Sequence, residues 1–195
     1  MVPANCDQLV ADIRACRHCQ GLPDGVRPII QAGADARLLI IGQAPGVRAN
    51  AKGRPFDDAS GDRLRAWMGL TRDSFYDPQQ VAIMPMGFCF PGRGRSGDLP
   101  PRPECAPLWH ARLLATLPHI QLTLLIGQYA QRAYSPRPFS SLTDCVEHWR
   151  ELLPAYLPLP HPSPRNQLWL KRHPWFEATL LPELRARVRA ALSVT

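Results

Sequence analysis

Four short apolar runs separated by helix-like segments constrain this fold more than any other feature of the sequence. Residues 37–41 (RLLII) and 122–126 (LTLLI) are almost continuously apolar, which is typical of strands buried on both faces of a sheet. Residues 80–84 (QVAIM) predict a further strand, and residues 155–159 (AYLPL) predict a weak fourth, because Pro158 limits its pairing. Strands separated by helices predict a parallel sheet with helices on both of its faces.

The segments around these runs carry helix signals: apolar residues at helical spacing, capping residues before them and glycine after them. They predict helices over residues 5–16, 61–68, 103–117, 127–134, 141–152 and about 174–192. Asn5, Ser60 and Ser141 are the expected N-caps, and Gly69 is expected to end the second helix. A chain of 195 residues without an internal repeat is expected to form a single domain over residues 1–195.

Three predicted loops follow strand ends, at residues 42–59, 85–102 and 160–167. Folds of this class bind their ligands where parallel strands end and loops begin. The first two loops also exceed the length of about 12–15 residues beyond which loops are usually functional or disordered. We therefore expect the chemistry of this protein to lie in these loops.

The charge of the chain indicates a polyanionic partner. Lys and Arg number 23 and Asp and Glu number 16, which gives a net charge of +7. All the basic residues except Lys52 and Lys171 are arginine, whose planar fork suits phosphate, although a GC-rich genome explains that preference equally well. Nucleic acid is the simplest partner for such an excess, with Arg93, Arg95 and Arg102 of the second loop as expected backbone contacts.

The hydrophobic content and its distribution narrow the class of protein further. Apolar residues make up 45% of the chain, as in an ordinary globular domain and unlike a disordered one. No apolar run approaches the roughly 20 residues that span a bilayer, and the N-terminus lacks the features of a signal peptide. We expect a cytoplasmic protein with no membrane partner.

Four of the six cysteines are spaced as two pairs. Cys16 and Cys19 form a C-x2-C pair, and fifteen residues separate Cys89 from Cys105. Because a cytoplasmic chain is not expected to hold disulfides, two such pairs favour a four-thiolate site for zinc or an iron–sulfur cluster. The spacing alone leaves ordinary buried cysteines as an equal alternative. The remaining two, Cys6 and Cys145, have no partner at motif spacing and are expected to be buried.

The first long loop begins with Gly42–Gly46 (GQAPG), directly after a predicted strand. Glycine permits close approach of the backbone to a ligand, and proline stiffens the turn. Further along, Phe56 could present a flat face on which a base stacks. Asp57 and Asp58 follow it and are either functional carboxylates or exposed acids before a helix N-terminus. For Gly42–Gly46 the alternative is an ordinary turn after a strand, and for Phe56 it is a residue of the hydrophobic core.

The third loop, His161–Asn166 (HPSPRN), is dense in functional side chains. A histidine between proline-stiffened turns can donate a proton, or a hydrogen bond to a developing oxyanion. Ser163 can bind phosphate, and Arg165 and Asn166 can reach into a duplex. Because Pro, Ser and Asn also form turns, a surface turn is the alternative.

Together these segments resemble the uracil-DNA glycosylase superfamily, most closely the bacterial and archaeal branch that carries an iron–sulfur cluster. GQAPG resembles the first motif of that superfamily, and residues 53–56 (GRPF) resemble the segment whose aromatic ring stacks on the flipped base. HPSPRN resembles the second motif, especially the form found in the single-strand-selective branch. The four paired cysteines resemble the cluster pattern, so the resemblance extends from about Cys16 to Asn166.

The resemblance implies an α/β fold, a three-layer α/β/α sandwich with a four-stranded parallel sheet. It implies a monomeric, monofunctional DNA glycosylase that flips a deaminated base, uracil foremost, out of DNA and hydrolyses its N-glycosidic bond in base-excision repair.

The implied catalytic residues are His161, which would donate a hydrogen bond to the uracil O2, with Gln43 and Asp57. The implied base-binding residues are Gly42, Ala44, Pro45, Gly46, Phe56 and Ser163. The implied DNA contacts are Pro162, Pro164, Arg165 and Asn166. The implied cofactor is a structural 4Fe-4S cluster, with zinc as the alternative, on Cys16, Cys19, Cys89 and Cys105.

The sequence departs from that pattern at three positions. Gln43 replaces a glutamate that orients or activates water in the cluster-bearing branch, and Ala44 replaces the Asp or Asn of other branches. Pro85 replaces an asparagine that reads the uracil edge. Asp57 or Asp58 could supply the missing carboxylate, and the base could also be hypoxanthine or xanthine. The departures leave open a catalytically weak lesion-binding protein on the same fold. The cysteines and the charge alone leave open a zinc-stabilised nucleic-acid-binding module.

Overall fold

The computed structural model describes residues 5–193, and its central feature is a four-stranded parallel sheet. The six strands in chain order are β1 (Leu38–Ile41), β2 (Val81–Ile83), β3 (Arg93–Gly94), β4 (Gly97–Asp98), β5 (Leu122–Ile126) and β6 (Tyr156–Leu159). The sheet has the order β2-β1-β5-β6, while β3 and β4 form a separate antiparallel hairpin. All four predicted strands are confirmed, and β6 lies at an edge, where Pro158 is tolerated.

Helices connect the strands and cover the sheet. They are α1 (Cys6–Arg14), α2 (Val47–Lys52), α3 (Ala59–Met68), α4 (Arg72–Phe75), α5 (Ala111–Leu114), α6 (Gly127–Tyr134), α7 (Leu142–Glu147), α8 (Trp149–Leu152), α9 (Gln167–Arg172) and α10 (Leu181–Leu192). A π-helical turn, Ala106–His110, leads into α5, and a second, Phe176–Leu180, leads into α10.

Alternate residues of the strands point to opposite faces, and each face has its own hydrophobic core. In β1, Leu38 and Ile40 pack against α3 and α10, and residues of α7, α8 and α9 belong to the same core. Leu39 and Ile41 face the other way, into a core built with α1, α5 and α6. Because strand residues are buried on both faces, their sequences are continuously apolar and do not alternate with polar residues. The predicted three-layer α/β/α fold is confirmed.

The helix ends follow the sequence signals except at α3. Asn5 and Ser141 cap α1 and α7 as predicted, with side-chain oxygens that accept from the N–H groups of Asp7 and Asp144. The prediction of Ser60 as an N-cap is wrong. Asp58 is the cap, because its Oδ1 accepts a hydrogen bond of 2.9 Å from the N–H of Gly61.

Several predicted segments are shorter or more structured than expected. The loop 42–59 contains α2, the loop 85–102 contains the β3–β4 hairpin, and α9 follows the third loop. The single helix expected over residues 141–152 is divided into α7 and α8 at His148, whose ψ of 20° departs from helical geometry. Within residues 5–193, no helix has both the length and the apolar character that crossing a bilayer requires.

Candidate active site

The three loops that follow strand ends meet around one cavity of about 370 Å³. It lies at the carboxyl ends of β1, β2 and β6, where a doubly covered parallel sheet is expected to bind ligands. The residues that line it are Gly42, Gln43, Ala44, Pro45, Gly46, Val47, Arg48, Ala49, Pro55, Phe56, Asp58, Ser60, Ile83, Pro85, Arg93, Asp98, His161, Ser163 and Arg165. The structure thus brings together all the predicted base-binding residues.

The segment Gly42–Gly46 forms one wall of this cavity. The carbonyls of Gly42 and Gln43 accept hydrogen bonds from the N–H groups of Met86 and Gly87, at 2.8 and 3.0 Å, which fixes this wall against the segment after β2. A Cβ on Gly42 would lie 3.1 Å from the Cζ of Phe56, so glycine allows the aromatic ring to pack closely against the backbone.

The side-chain amide of Gln43 has a defined orientation. Its Nε2 donates a hydrogen bond of 3.2 Å to the carbonyl of Leu99, in the second long loop. Its Oε1 is therefore the atom left to accept a hydrogen bond from a bound water or base. An amide oxygen can position water in this way but cannot remove its proton.

Phe56 occupies a strained backbone conformation beside the cavity. Its φ of 54° lies in the left-handed region, which costs on the order of 1–3 kcal/mol for a residue with a Cβ. The guanidinium of Arg65 donates to the Phe56 carbonyl, and the Tyr76 hydroxyl donates to the carbonyl of Pro55. The carbonyl of Phe56 also lies so close to Gly61 that a Cβ there would be 1.6 Å away. The chain therefore holds this ring in place at an energetic cost.

His161 presents a neutral imidazole to the cavity. The N–H of Ser163 donates a hydrogen bond of 3.2 Å to Nδ1 of His161, so in the neutral ring the proton lies on Nε2. Burial lowers the pKa of His161, and the negative charges of Asp58 and Asp98 only partly oppose that shift. The ring lies nearly parallel to that of Phe56, with an angle of 29° and 6.5 Å between centroids.

The rest of the third loop supports His161. The side-chain amide of Asn166 donates to the His161 carbonyl at 2.7 Å, and the Ser163 hydroxyl accepts from the N–H of Arg165 at 3.2 Å. Arg165 lines the cavity, and its guanidinium donates to the carbonyl of Ser96 in the turn of the β3–β4 hairpin, at 3.2 Å. Asn166 therefore stabilises the loop, which the sequence did not predict.

The two prolines of this loop, predicted as DNA contacts, differ in exposure. Pro162 is buried, and Pro164 is exposed. Neither of them lines the cavity. Only Pro164 is thus available on the surface for a contact with DNA.

Asp57 does not reach the cavity, in contrast to its predicted catalytic role. Its carboxylate binds Lys52 at 3.0 Å and Arg72 at 2.8 Å, and so ties α2 to α4. Burial by itself would raise the pKa of Asp57, but the hydrogen bonds from Arg72 and Lys52 hold that pKa below its ordinary value. A buried carboxylate neutralised by two cations is a poor proton acceptor. Asp57 therefore anchors the first loop.

Two other carboxylates face the cavity instead. A Cβ on Gly46 would lie 3.3 Å from Oδ2 of Asp98 and 3.7 Å from Oδ2 of Asp58. Asp98 comes from β4, and sequence reasoning did not single it out. The only available signal was its position in the second long loop, because nothing local shows that the hairpin folds over the first motif.

Pro85 lines the cavity and is held from behind by a buried polar chain. Its carbonyl lies 3.1 Å from Nε2 of His110, and Nδ1 of His110 lies 2.6 Å from the hydroxyl of Tyr134. Because a carbonyl only accepts, Nε2 of His110 carries the proton and Nδ1 accepts from Tyr134. Burial lowers the pKa of His110 to about 4, which keeps the ring neutral at pH 7.

The four paired cysteines lie outside this cavity. Cys19 and Cys89 pack with Leu22 in a small core of their own, Cys105 is buried, and Cys16 is half-buried. Burial raises the pKa of Cys89 and of Cys105 to about 11, and Cys16 and Cys19 add to the shift of both. Four free thiols supply the donor type of a four-thiolate group.

Two further observations bear on the cysteines. Over residues 5–193, no group of three or more His, Cys, Asp or Glu side chains has the spacing of ligands to a single metal ion. Cys6 and Cys145, expected to be ordinary buried residues, are 4% and 1% exposed.

The arginines of the second loop divide into two groups. Arg93 and Arg95 are exposed on the hairpin. Arg102 instead donates to the carbonyl of Gln20 and pairs with Glu104, which joins the C-x2-C segment to the second loop. Arg102 therefore has a structural role, and its contact with DNA stays a prediction.

Fold and cavity together define an α/β protein with a ligand-sized cavity at the carboxyl edge of its sheet, lined by an aromatic ring and a neutral imidazole. The family model of the uracil DNA glycosylase superfamily matches residues 30–185 of the chain. The chain therefore belongs to the uracil DNA glycosylase superfamily. The matched range contains all three loops of the cavity together with Cys89 and Cys105, whereas Cys16 and Cys19 precede it.

Proposed function

We propose that this protein is a monofunctional DNA glycosylase that flips a deaminated base, uracil foremost, out of DNA and hydrolyses its N-glycosidic bond. The observation that carries the proposal is the pairing of Phe56 with the neutral, Nε2-protonated His161 in one cavity. One group offers a face for a base, and the other offers a hydrogen-bond donor for the charge that the departing base acquires. Membership in the superfamily supports the same activity.

The strained position of Phe56 suits the capture of a flipped base. Flipping costs a few kcal/mol of lost stacking, least for a mispaired base or a single strand. Stacking on an aromatic side chain returns about 1–3 kcal/mol per base. Because the ring is already held by Arg65, Tyr76 and Gly61, little further ordering is needed when the base enters.

The neutral state of His161 suits stabilisation of the leaving group. As the glycosidic bond breaks, negative charge grows on the base, and the Nε2–H of His161 donates to the O2 atom of uracil. A fixed donor at a developing oxyanion contributes about 100-fold to 1,000-fold to a rate. Because burial lowers the pKa of His161, the ring keeps this neutral donor form at pH 7 without having to lose a proton first.

Three arginines around the cavity give it a positive rim for the DNA backbone. Arg48, Arg93 and Arg165 line it and are exposed. Arginine binds phosphate oxygens without reading sequence, which suits an enzyme that must inspect every site. The proposed partner is accordingly DNA that contains a damaged base, bound by a monomer.

We propose in addition that Cys16, Cys19, Cys89 and Cys105 hold a 4Fe-4S cluster, with zinc as the alternative. The two cysteine pairs supply four free thiols, the donor type of such a group, and three of the four are buried. Such a group would crosslink the N-terminal segment to the loop after β2, a structural role that parallels the contact of Arg102 with Gln20.

The cluster is tested by preparing the protein without oxygen and measuring iron, sulfide and absorbance. We expect about four irons and four sulfides per chain and a broad band near 400 nm. Cys16→Ser should lose both, whereas Cys145→Ser, a buried cysteine outside the group, should keep them. A colourless protein with one zinc per chain would contradict the iron–sulfur assignment.

The activity is tested on oligonucleotides that carry uracil, hypoxanthine or xanthine, both single-stranded and paired. We expect alkali-labile sites with at least one of these bases, and a loss of about 100-fold or more in His161→Ala. Binding to the same DNA without base release would contradict catalysis. It would favour a lesion-binding protein, a function consistent with Gln43, Ala44 and Pro85 in the motifs.

A further inference from the structure

Hydrolysis of a glycosidic bond needs an acceptor for the proton of the attacking water, and the usual position for it is empty here. Gln43 has an amide that cannot accept a proton, and Ala44 has no polar side chain. Asp57 is buried between Lys52 and Arg72, away from the cavity. The acceptor must therefore come from another part of the cavity wall.

Two carboxylates line the cavity, and a Cβ on Gly46 would lie 3.3 Å from Oδ2 of Asp98 and 3.7 Å from Oδ2 of Asp58. Asp58 has a structural role, because its Oδ1 accepts a hydrogen bond of 2.9 Å from the N–H of Gly61 and caps α3. Asp58 is thus suited to hold α3 and to bias the electrostatics of His161.

Within residues 5–193, Asp98 forms one long ion pair and no side-chain hydrogen bond. Its Oδ1 lies 3.8 Å from Nε of Arg93, too far for a hydrogen bond, and its Oδ2 lies 3.3 Å from the position that a Cβ on Gly46 would take. The side chain is 36% exposed, so water reaches it before DNA binds. Asp98 and His161 line the same cavity, and the negative charge of Asp98 acts on the imidazole.

The hairpin that carries Asp98 is held in register by neighbouring loops. Arg165 donates to the carbonyl of Ser96, the N–H of Leu99 donates to the carbonyl of Gly92, and the Leu99 carbonyl accepts from Gln43. Glycine is needed at 97, where φ is +145° and a Cβ would lie 2.6 Å from Arg165. The third loop, the first motif and the hairpin therefore fix the position of this carboxylate jointly.

We propose that Asp98 is the general base of the reaction, a role that rests on the proposed glycosylase function. Water attacks C1′ of the deoxyribose, and its proton passes to the Asp98 carboxylate. The bond between C1′ and the base nitrogen breaks, and its electron pair leaves with the base as an anion held by the Nε2–H of His161. Gln43 Oε1 positions the water, and the protonated Asp98 returns its proton to solvent.

The test is single-turnover base release together with binding to DNA that carries an uncleavable 2′-fluoro-2′-deoxyuridine. Asp98→Asn should slow release by about 100-fold or more, because an amide cannot act as a base, while its Kd stays within about threefold of the wild type. Asp73→Asn, which makes the same charge change at an exposed position outside the cavity, should release base at the wild-type rate.

Three results would overturn the assignment, and they are distinguishable. If Asp98→Asn keeps its rate while Asp58→Asn loses it, Asp58 is the base. If Asp98→Asn loses rate and binding in proportion, the residue orders the hairpin. If the wild type releases no base from any substrate, the proposed function fails first, and the role of Asp98 fails with it.

Discussion

At the scale of single residues, close contacts in the site fix which side chain a position can hold and which atom of a ring carries the proton. Gly61 is the clearest case, because the carbonyl of Phe56 occupies the space where a Cβ would lie. His161 is another, since one backbone N–H decides which of its nitrogens carries the proton. Sequence motifs identified His161 and Phe56. They could not identify Gly61 or Asp98, whose importance arises from contacts with distant or strained segments.

Gly61→Ala should disrupt both folding and base binding. The new methyl group would lie 1.6 Å from the Phe56 carbonyl, and relief requires movement of backbone that is already strained. We expect a loss of about 3 kcal/mol in the free energy of unfolding. Urea denaturation measures this, with Ser60→Ala on the same turn as the control. Equal stabilities for the two variants would contradict the close contact.

His110 should make the protein less stable in mild acid. Its pKa is about 4 in the folded state and 6.5 as a model value, so between these values the unfolded chain binds more protons. Stability therefore falls as pH drops through 6.5, by about 2 kcal/mol at pH 5 from this residue. Denaturation of the wild type and His110→Gln at pH 7.5 and pH 5 measures the difference. An identical pH dependence in both would contradict the assignment.

At the scale of elements, strands were easier to predict than the pieces that build the site. The four strands of the sheet are apolar runs that any parallel sheet would bury, and even β6 was recognisable despite Pro158. Helix α2 (VRANAK) has no apolar stripe, and the hairpin consists of Arg, Gly, Ser and Asp, without strand-forming residues. These elements form because neighbouring loops hold them in place, and no local sequence pattern indicates those contacts.

Arg165 should couple the third loop to the β3–β4 hairpin. Its removal in Arg165→Ala breaks the hydrogen bond to Ser96 and frees the hairpin. We expect about tenfold faster hydrogen exchange at the N–H of Leu99, which pairs with Gly92 inside this unit. Arg48→Ala, at the same cavity but on α2, should weaken DNA binding and leave that exchange unchanged. Unaltered exchange in Arg165→Ala would contradict the coupling.

At the scale of the whole molecule, the chain carries a net charge of +7, and exposed arginines surround the cavity. The charge predicted a polyanionic partner, and the fold puts Arg48, Arg93 and Arg165 at the entrance where a flipped nucleotide would enter. Superfamily membership, over residues 30–185, agrees with DNA as that partner. The composition of the chain thus indicated the class of ligand, whereas the position of the interface could be identified only from the fold.

Affinity for duplex DNA should fall steeply with salt. Each neutralised phosphate contributes a slope of about −0.9 to a plot of log K against log salt concentration. Arg48→Ala should reduce the slope by about one such contact, whereas Arg150→Ala, which stacks on Trp149 away from the cavity, should leave it unchanged. Fluorescence anisotropy at several salt concentrations measures both. A salt-independent affinity would contradict the proposed DNA interface.

The most direct measurement is the analysis of both products from one uracil-containing oligonucleotide before any alkali is added. We expect one free uracil for each abasic site, in a strand that is still intact, and about 100-fold slower formation of both products in His161→Ala. Those products would establish monofunctional hydrolysis in the cavity formed by Phe56, Asp98 and His161. Cleaved strands before alkali treatment, or base release at the wild-type rate in His161→Ala, would contradict it.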